Sequence, residues 1–227
     1  GLAGGTWQAE LPGADAGASD AAKASRGVTG NWISQPRLFA TGLRIVSMAA
    51  TPTRLLATTE GEASARLVSI SEAGEVQPFG TGFTMPADAA CYVEVAPGAG
   101  EFPQDAILLG AGLEVWQVAP DGRAAVTLAA LPAGDGDIAG LAFDTVGAFH
   151  HCLIALTTSG AIYQIDMQGT AIRIGSLGPG GRGPSVGSNA FGRYAGQVLV
   201  AFPAEHEVRA LDTAGNASVA IRWSGAS

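Results

Sequence analysis

The chain has 227 residues, of which 47% are hydrophobic and 14% charged, with 33 Gly and 12 Pro. That is enough apolar material for a sizeable core, and too little charge for a disordered chain. A net charge of −8 sets nucleic acid aside as a partner, because an acidic surface repels phosphate. No run of 18 apolar residues is present, so no membrane-spanning helix is expected.

The first 36 residues read as an N-terminal arm. The opening Gly-Leu-Ala-Gly-Gly has no initiator Met and no visible signal peptide, the pattern expected of a mature, processed start. Residues 12–30 are rich in Ala, Gly, Ser and Asp and read as a loop, with short strands expected around Trp7 and Trp32. Lys23 is the only lysine, and abundant Arg, Ala and Gly is the usage of a GC-rich bacterial genome.

From residue 37 the sequence becomes repetitive. Four turns recur, at Ser71 to Gly74, Pro120 to Gly122, Asp166 to Gly169 and Asp212 to Gly215, with their glycines 46 to 48 residues apart. Each Gly can supply the positive φ of a hairpin turn. A strand with alternating polar residues precedes each turn: Leu67 to Ile70, Val115 to Val118, Ile162 to Ile165 and Val208 to Leu211. An outer strand follows, around Val76, Val126, Ile172 and Val219. Upstream lies a continuously apolar strand, as at Leu153 to Leu156 and Val198 to Ala201, which is expected to be buried on both faces. Before that comes an innermost strand: Ile45 to Ala49, Tyr92 to Ala96, Ala139 to Phe143 and, more weakly, Ser185 to Ser188.

Four strands per unit at this period predict an all-β fold, a β-propeller of four-stranded blades with a repeat of about 46 residues. The repeat units are approximately 44–83, 89–131, 137–177 and 184–223, within a propeller region of 37–227. Arg37 to Leu43 echoes Val76 to Phe83 and reads as the outer strand of a preceding blade. Five blades are therefore expected, with residues 1–43 building a degenerate first one. The alternative is an incomplete ring whose edge is covered by a partner or by further sequence, since open edges expose backbone groups.

Gly140-Leu141-Ala142-Phe143-Asp144 and Phe191-Gly192-Arg193-Tyr194-Ala195-Gly196 resemble blades of secreted bacterial propellers of the NHL and gluconolactonase-like group. The resemblance covers roughly residues 44–223 and implies fold more than activity, because these are turn and packing residues. It also implies an extracytoplasmic location, periplasmic or secreted. Gluconolactonase-like propellers hold a divalent cation on the axis with acidic and Asn side chains. By that analogy Glu94, Asp144 and Asn189 are the metal candidates, from a pool that also holds Asp135 and Asp137, and Ca²⁺ is the cation they would take. The pattern is incomplete: Ala139-Gly140 stands where those enzymes show an Asn-Gly start. Asp144 and Asp121 are explained more simply as turn acceptors.

Other signals are weaker. His150-His151-Cys152 has metal-ligand residue types, but neighbours in a strand point to opposite faces, which leaves two loop-end histidines beside a packed cysteine. Cys91 and Cys152 permit one disulfide without requiring it. The Gly178 to Pro184 stretch lacks the Lys-Ser/Thr ending of a phosphate loop and reads as a connection between blades. No catalytic residue, and no cofactor-binding residue outside that cation set, is nominated. The function expected is that of a non-catalytic protein-interaction or structural subunit of a larger assembly, contacted through the arm. A metal-dependent gluconolactonase-like hydrolase and a carbohydrate- or small-ligand-binding, lectin-like propeller are the two alternatives.

Overall fold

The computed structural model describes residues 44–60, 66–80, 83 and 90–224. These form sixteen strands in four sheets, each of four strands paired antiparallel in chain order. Blade 1 holds β1 (Arg44–Ala50), β2 (Leu55–Glu60), β3 (Arg66–Ile70) and β4 (Val76–Pro78). Blade 2 holds β5 (Cys91–Val95), β6 (Ile107–Ala111), β7 (Glu114–Val118) and β8 (Ala125–Ala130). Blade 3 holds β9 (Ile138–Phe143), β10 (Leu153–Thr157), β11 (Ala161–Ile165) and β12 (Ala171–Ser176). Blade 4 holds β13 (Arg182–Val186), β14 (Val198–Phe202), β15 (Glu207–Leu211) and β16 (Ala217–Arg222).

The described residues thus hold four blades, not the five expected; residues 1–43, assigned to the arm and the degenerate blade, lie outside them. The inner strand of blade 4 also begins earlier than expected, at Arg182, so part of the Gly-rich connection is strand. The innermost strands follow one another, β1 against β5, β5 against β9 and β9 against β13.

The repeated turns have the chemistry their sequence implies. The N–H groups of Gly74, Gly122, Gly169 and Gly215 donate to the carbonyls of Ser71, Ala119, Asp166 and Asp212 at 2.8–3.1 Å. The Asp166 and Asp212 carboxylates also accept from the backbone N–H groups of Thr170 and Asn216, at 2.7 and 2.8 Å. All four glycines have positive φ, between 73° and 82°.

Three apolar layers hold neighbouring blades together, each sheet burying a face against the next. Each blade has a leading face toward the blade before it and a trailing face toward the blade after it. Leu56, Leu67 and Phe79 on the trailing face of blade 1 meet Val93, Ile107 and Leu109 of blade 2. Leu108, Val115 and Leu131 of blade 2 meet Ile138, Leu153 and Ala155 of blade 3. Ile154, Leu156 and Leu177 of blade 3 meet Val198, Val200 and Leu211 of blade 4. The second strands β6 and β10 are buried at every position, as their continuous apolarity requires.

Candidate interaction surface

One position recurs just past the outer strand of blades 2, 3 and 4. Its N–H closes onto the residue just before the third strand: Leu131 to the carbonyl of Leu113, Leu177 to Gly160 and Trp223 to His206, at 2.8–3.0 Å. Leu131 and Leu177 are each 4% exposed, whereas Trp223 is 41% exposed. Backbone placement is the same in all three, so what differs is the neighbour: no described blade follows blade 4.

The rest of that face agrees. Pairing of Leu199 with Ala210, Ala201 with Val208, and Val208 with Ile221 puts these side chains on one side of the sheet. Their counterparts in blade 3, Ile154, Leu156 and Ile162, are fully buried. In blade 4, Leu199, Ala201 and Val208 are half-buried and Ile221 is 48% exposed. An apolar sheet face of this kind is a candidate contact surface. On the opposite side of the same sheet, Glu207 binds Arg209 at 2.6 Å and Arg222 at 3.1 Å, and these two guanidinium groups hold its carboxyl below the usual range.

The metal candidates do not form a set of this quality. Glu94 lies near the end of β5, where burial pushes its carboxyl up to about 7. Asp144 follows β9 and is fully buried, with both oxygens engaged by its own loop. Oδ1 accepts from Val146 and Gly147 at 3.1 and 3.0 Å, and Oδ2 from Phe149 and His151 at 2.6 and 3.0 Å. Asn189 sits in an exposed turn after β13. With one carboxylate spent on four N–H groups and the amide in solvent, the donors do not fit a hard cation that takes six to eight oxygens. Asp135 accepts from the Tyr163 hydroxyl and lies 3.5 Å from Arg173, tying the connection between blades 2 and 3 to β11 and β12. Among the described residues no three His, Cys, Asp or Glu side chains are grouped to hold a metal.

His150 and His151 lie in a turn, not in a strand, with φ of 58° and 57°. The Asp144 carboxylate, which binds the His151 N–H, holds this left-handed pair in place. Cys152 is buried behind them and accepts from Gln164 at 3.3 Å. Cys91 and Cys152 lie in different blades and no disulfide joins them; burial pushes the Cys91 thiol up to about 11. A shallow cleft of about 340 Å³ opens between blades 1 and 2, with Leu56, Phe79, Ile107 and Pro120 along its walls and Arg54 and Asp105 at its rim. The Arg54 guanidinium roofs the Phe79 ring at 5.2 Å.

From the sequence, Trp223 sits beside a predicted strand, where blade-edge packing is the simpler expectation and a ligand or protein contact the other. Only the absence of a described following blade turns it into a surface residue.

No protein-family profile matches the sequence, and no curated protein resembles it closely enough in sequence to count as a relative. Solved structures do match in fold. Virginiamycin B lyase from Staphylococcus aureus aligns over 77% of this chain and 54% of its own, with a TM-score of 0.56 at 14% identity. A gluconolactonase from Xanthomonas campestris aligns over 74% and 58%, with a TM-score of 0.52 at 18% identity. An auxiliary nutrient binding protein from Bacteroides thetaiotaomicron aligns over 74% and 44%, with a TM-score of 0.54 at 9% identity. The chain therefore spans about half the length of the structures it matches. The fold is that of a β-propeller protein with four-stranded antiparallel blades, and it resembles the NHL and gluconolactonase-like propellers.

Proposed function

We propose that the chain acts as a non-catalytic interaction subunit of a larger assembly, in an extracytoplasmic setting. The trailing face of blade 4 carries the reading. It presents Leu199 and Val208 half-buried where the three earlier blades bury the same positions, and Trp223 exposed where Leu131 and Leu177 are buried. Leaving that face in water forgoes the burial that holds the other blades together, so a partner that covers it gains the same contacts. The extracytoplasmic setting rests on the resemblance to secreted bacterial propellers, and fractionation of the source organism tests it. Native mass spectrometry of the protein recovered gently from its source tests the subunit role. A mass well above 22.7 kDa with defined stoichiometry supports it, and a bare single chain overturns it.

One observation favours a second reading, a gluconolactonase-like hydrolase. Glu94 lies on an innermost strand with its carboxyl near 7, the range of an acid–base group. Lactone hydrolysis, lost on Glu94→Gln and on chelation, would establish that reading in place of the first.

A further inference from the structure

The cleft between blades 1 and 2 carries two charged groups that the fold leaves unemployed. We propose that it binds a free apolar α-amino acid, with the ligand carboxylate on Arg54 and the ligand ammonium on Asp105.

Asp105 differs from the aspartates that build turns in this chain. The carboxylates of Asp121, Asp166 and Asp212 each accept from backbone N–H groups of their own turns, at 2.7–3.0 Å. Asp105 also lies in a turn, closed by the Ala106 N–H on the Pro103 carbonyl at 3.1 Å. Its carboxylate takes no hydrogen bond and no ion pair among the described residues. Its φ is 63°, where Gly and Asn are the ordinary turn residues, so the turn itself does not call for a carboxylate.

Arg54 is the counterpart. The Thr51 hydroxyl fixes its backbone, donating to the Arg54 carbonyl at 3.1 Å and accepting from the Arg54 N–H at 3.2 Å. Its guanidinium lies over the Phe79 ring and makes no ion pair among the described residues. By contrast, Arg44, Arg123, Arg173, Arg209 and Arg222 each meet a carboxylate. The planar donors of Arg54 are therefore available to a carboxylate from outside.

Arg54 and Asp105 line one cleft but do not pair with each other. Much of the remaining lining is apolar, with Pro52, Phe79, Ile107 and Pro120. A simple anion would be repelled by Asp105, and a simple cation by Arg54. A molecule that carries both charges on an apolar body satisfies all three features. The volume of about 340 Å³ lies at the lower end of small-molecule sites, which limits the ligand to about the size of one amino acid. The cleft is shallow, so both ion pairs stay partly hydrated, and a dissociation constant of about 1 mM is expected. Blade 4 takes no part in this site, so it stands or falls apart from the interaction role.

The test is an NMR titration of the purified, ¹⁵N-labelled full chain with L-phenylalanine and L-leucine. Saturable shifts are expected around Thr51 to Arg54 and Asp105, with blade 4 unmoved. N-acetyl-L-phenylalanine lacks the ammonium and L-phenylalaninamide lacks the carboxylate. Each should bind at least about fivefold more weakly than phenylalanine. Asp105→Asn retains a residue suited to the turn, so the fold should persist, as the unperturbed spectrum of the other blades will show. It should lose the preference for phenylalanine over its N-acetyl form, while Arg54→Gln should lose the preference over the amide. A change of selectivity specific to each variant is not produced by a general loss of structure. No saturable shift with either amino acid, shifts confined to other blades, or selectivity unchanged by both substitutions overturns the proposal.

Discussion

Asp144 shows how a residue with the chemistry of a ligand can be fully employed in structure. Four backbone N–H groups converge on its buried carboxylate, and its own carbonyl lies 3.1 Å from His151 Nδ1. Removing the carboxylate strands four donors at once. Asp144→Ala is therefore expected to cost about 3 kcal/mol or more of unfolding free energy, measured by urea titration. Glu94 makes the opposite case. Burial raises its carboxyl from 4.5 to about 7, so the folded state holds a proton that the unfolded state has lost between those values. Stability is then full below pH 4.5 and declines as the pH rises through about 7. At pH 8 Glu94→Gln should be more stable than the parent, by up to about 3 kcal/mol, and the advantage should vanish near pH 4.5. Equal pH profiles for the two proteins would show that Glu94 ionises without cost.

At the scale of the element, the hairpin turn between the third and fourth strands recurs through all four blades. Gly169 has a φ of 82°, and a Cβ there would run into the carbonyl oxygen of Leu128 on the outer strand of the preceding blade. Gly112 also has positive φ, 54°, but faces open space. Gly112→Ala is expected to cost about 1 kcal/mol, the backbone term alone. Gly169→Ala should cost about 2–4 kcal/mol, because the blade contact must also give way. Equilibrium unfolding of the pair separates the two contributions. Period and turn chemistry made these hairpins legible from the sequence. The start of β13 was not: Arg182 to Pro184 lies in a Gly- and Pro-rich run with no apolar alternation, and its pairing with β14 is interrupted between Arg182 and Ser185.

For the whole molecule, the blades are unequally protected. Blade 3 is flanked on both sides: β10 is buried throughout and β11 nearly so. In blade 4, β16 has five exposed positions of six. Hydrogen exchange should therefore be slowest in β10 and β11 and fast in β16, with protection falling from blade 3 to blade 4. Uniform protection across the four sheets would show that the trailing face of blade 4 is covered in solution.

The sequence by itself determined the blade. The four glycine turns, the apolar second strands and the alternating third strands are local patterns, and local pattern is what period and turn chemistry report. It also carries no run of 18 apolar residues and no Gly-Lys-Ser/Thr ending to its Gly-rich stretch. Only the tertiary structure decided what each polar residue is for. Asp144 is read from the sequence more simply as a turn acceptor than as a ligand, but its four donors appear only once they are placed, and their convergence depends on the path of an entire loop. Trp223 occupies the same place in its blade as Leu177 does in the one before, and the sequence treats the two alike. Their difference, 41% against 4% exposed, is a property of what lies beside the sheet, which no residue within the sheet encodes.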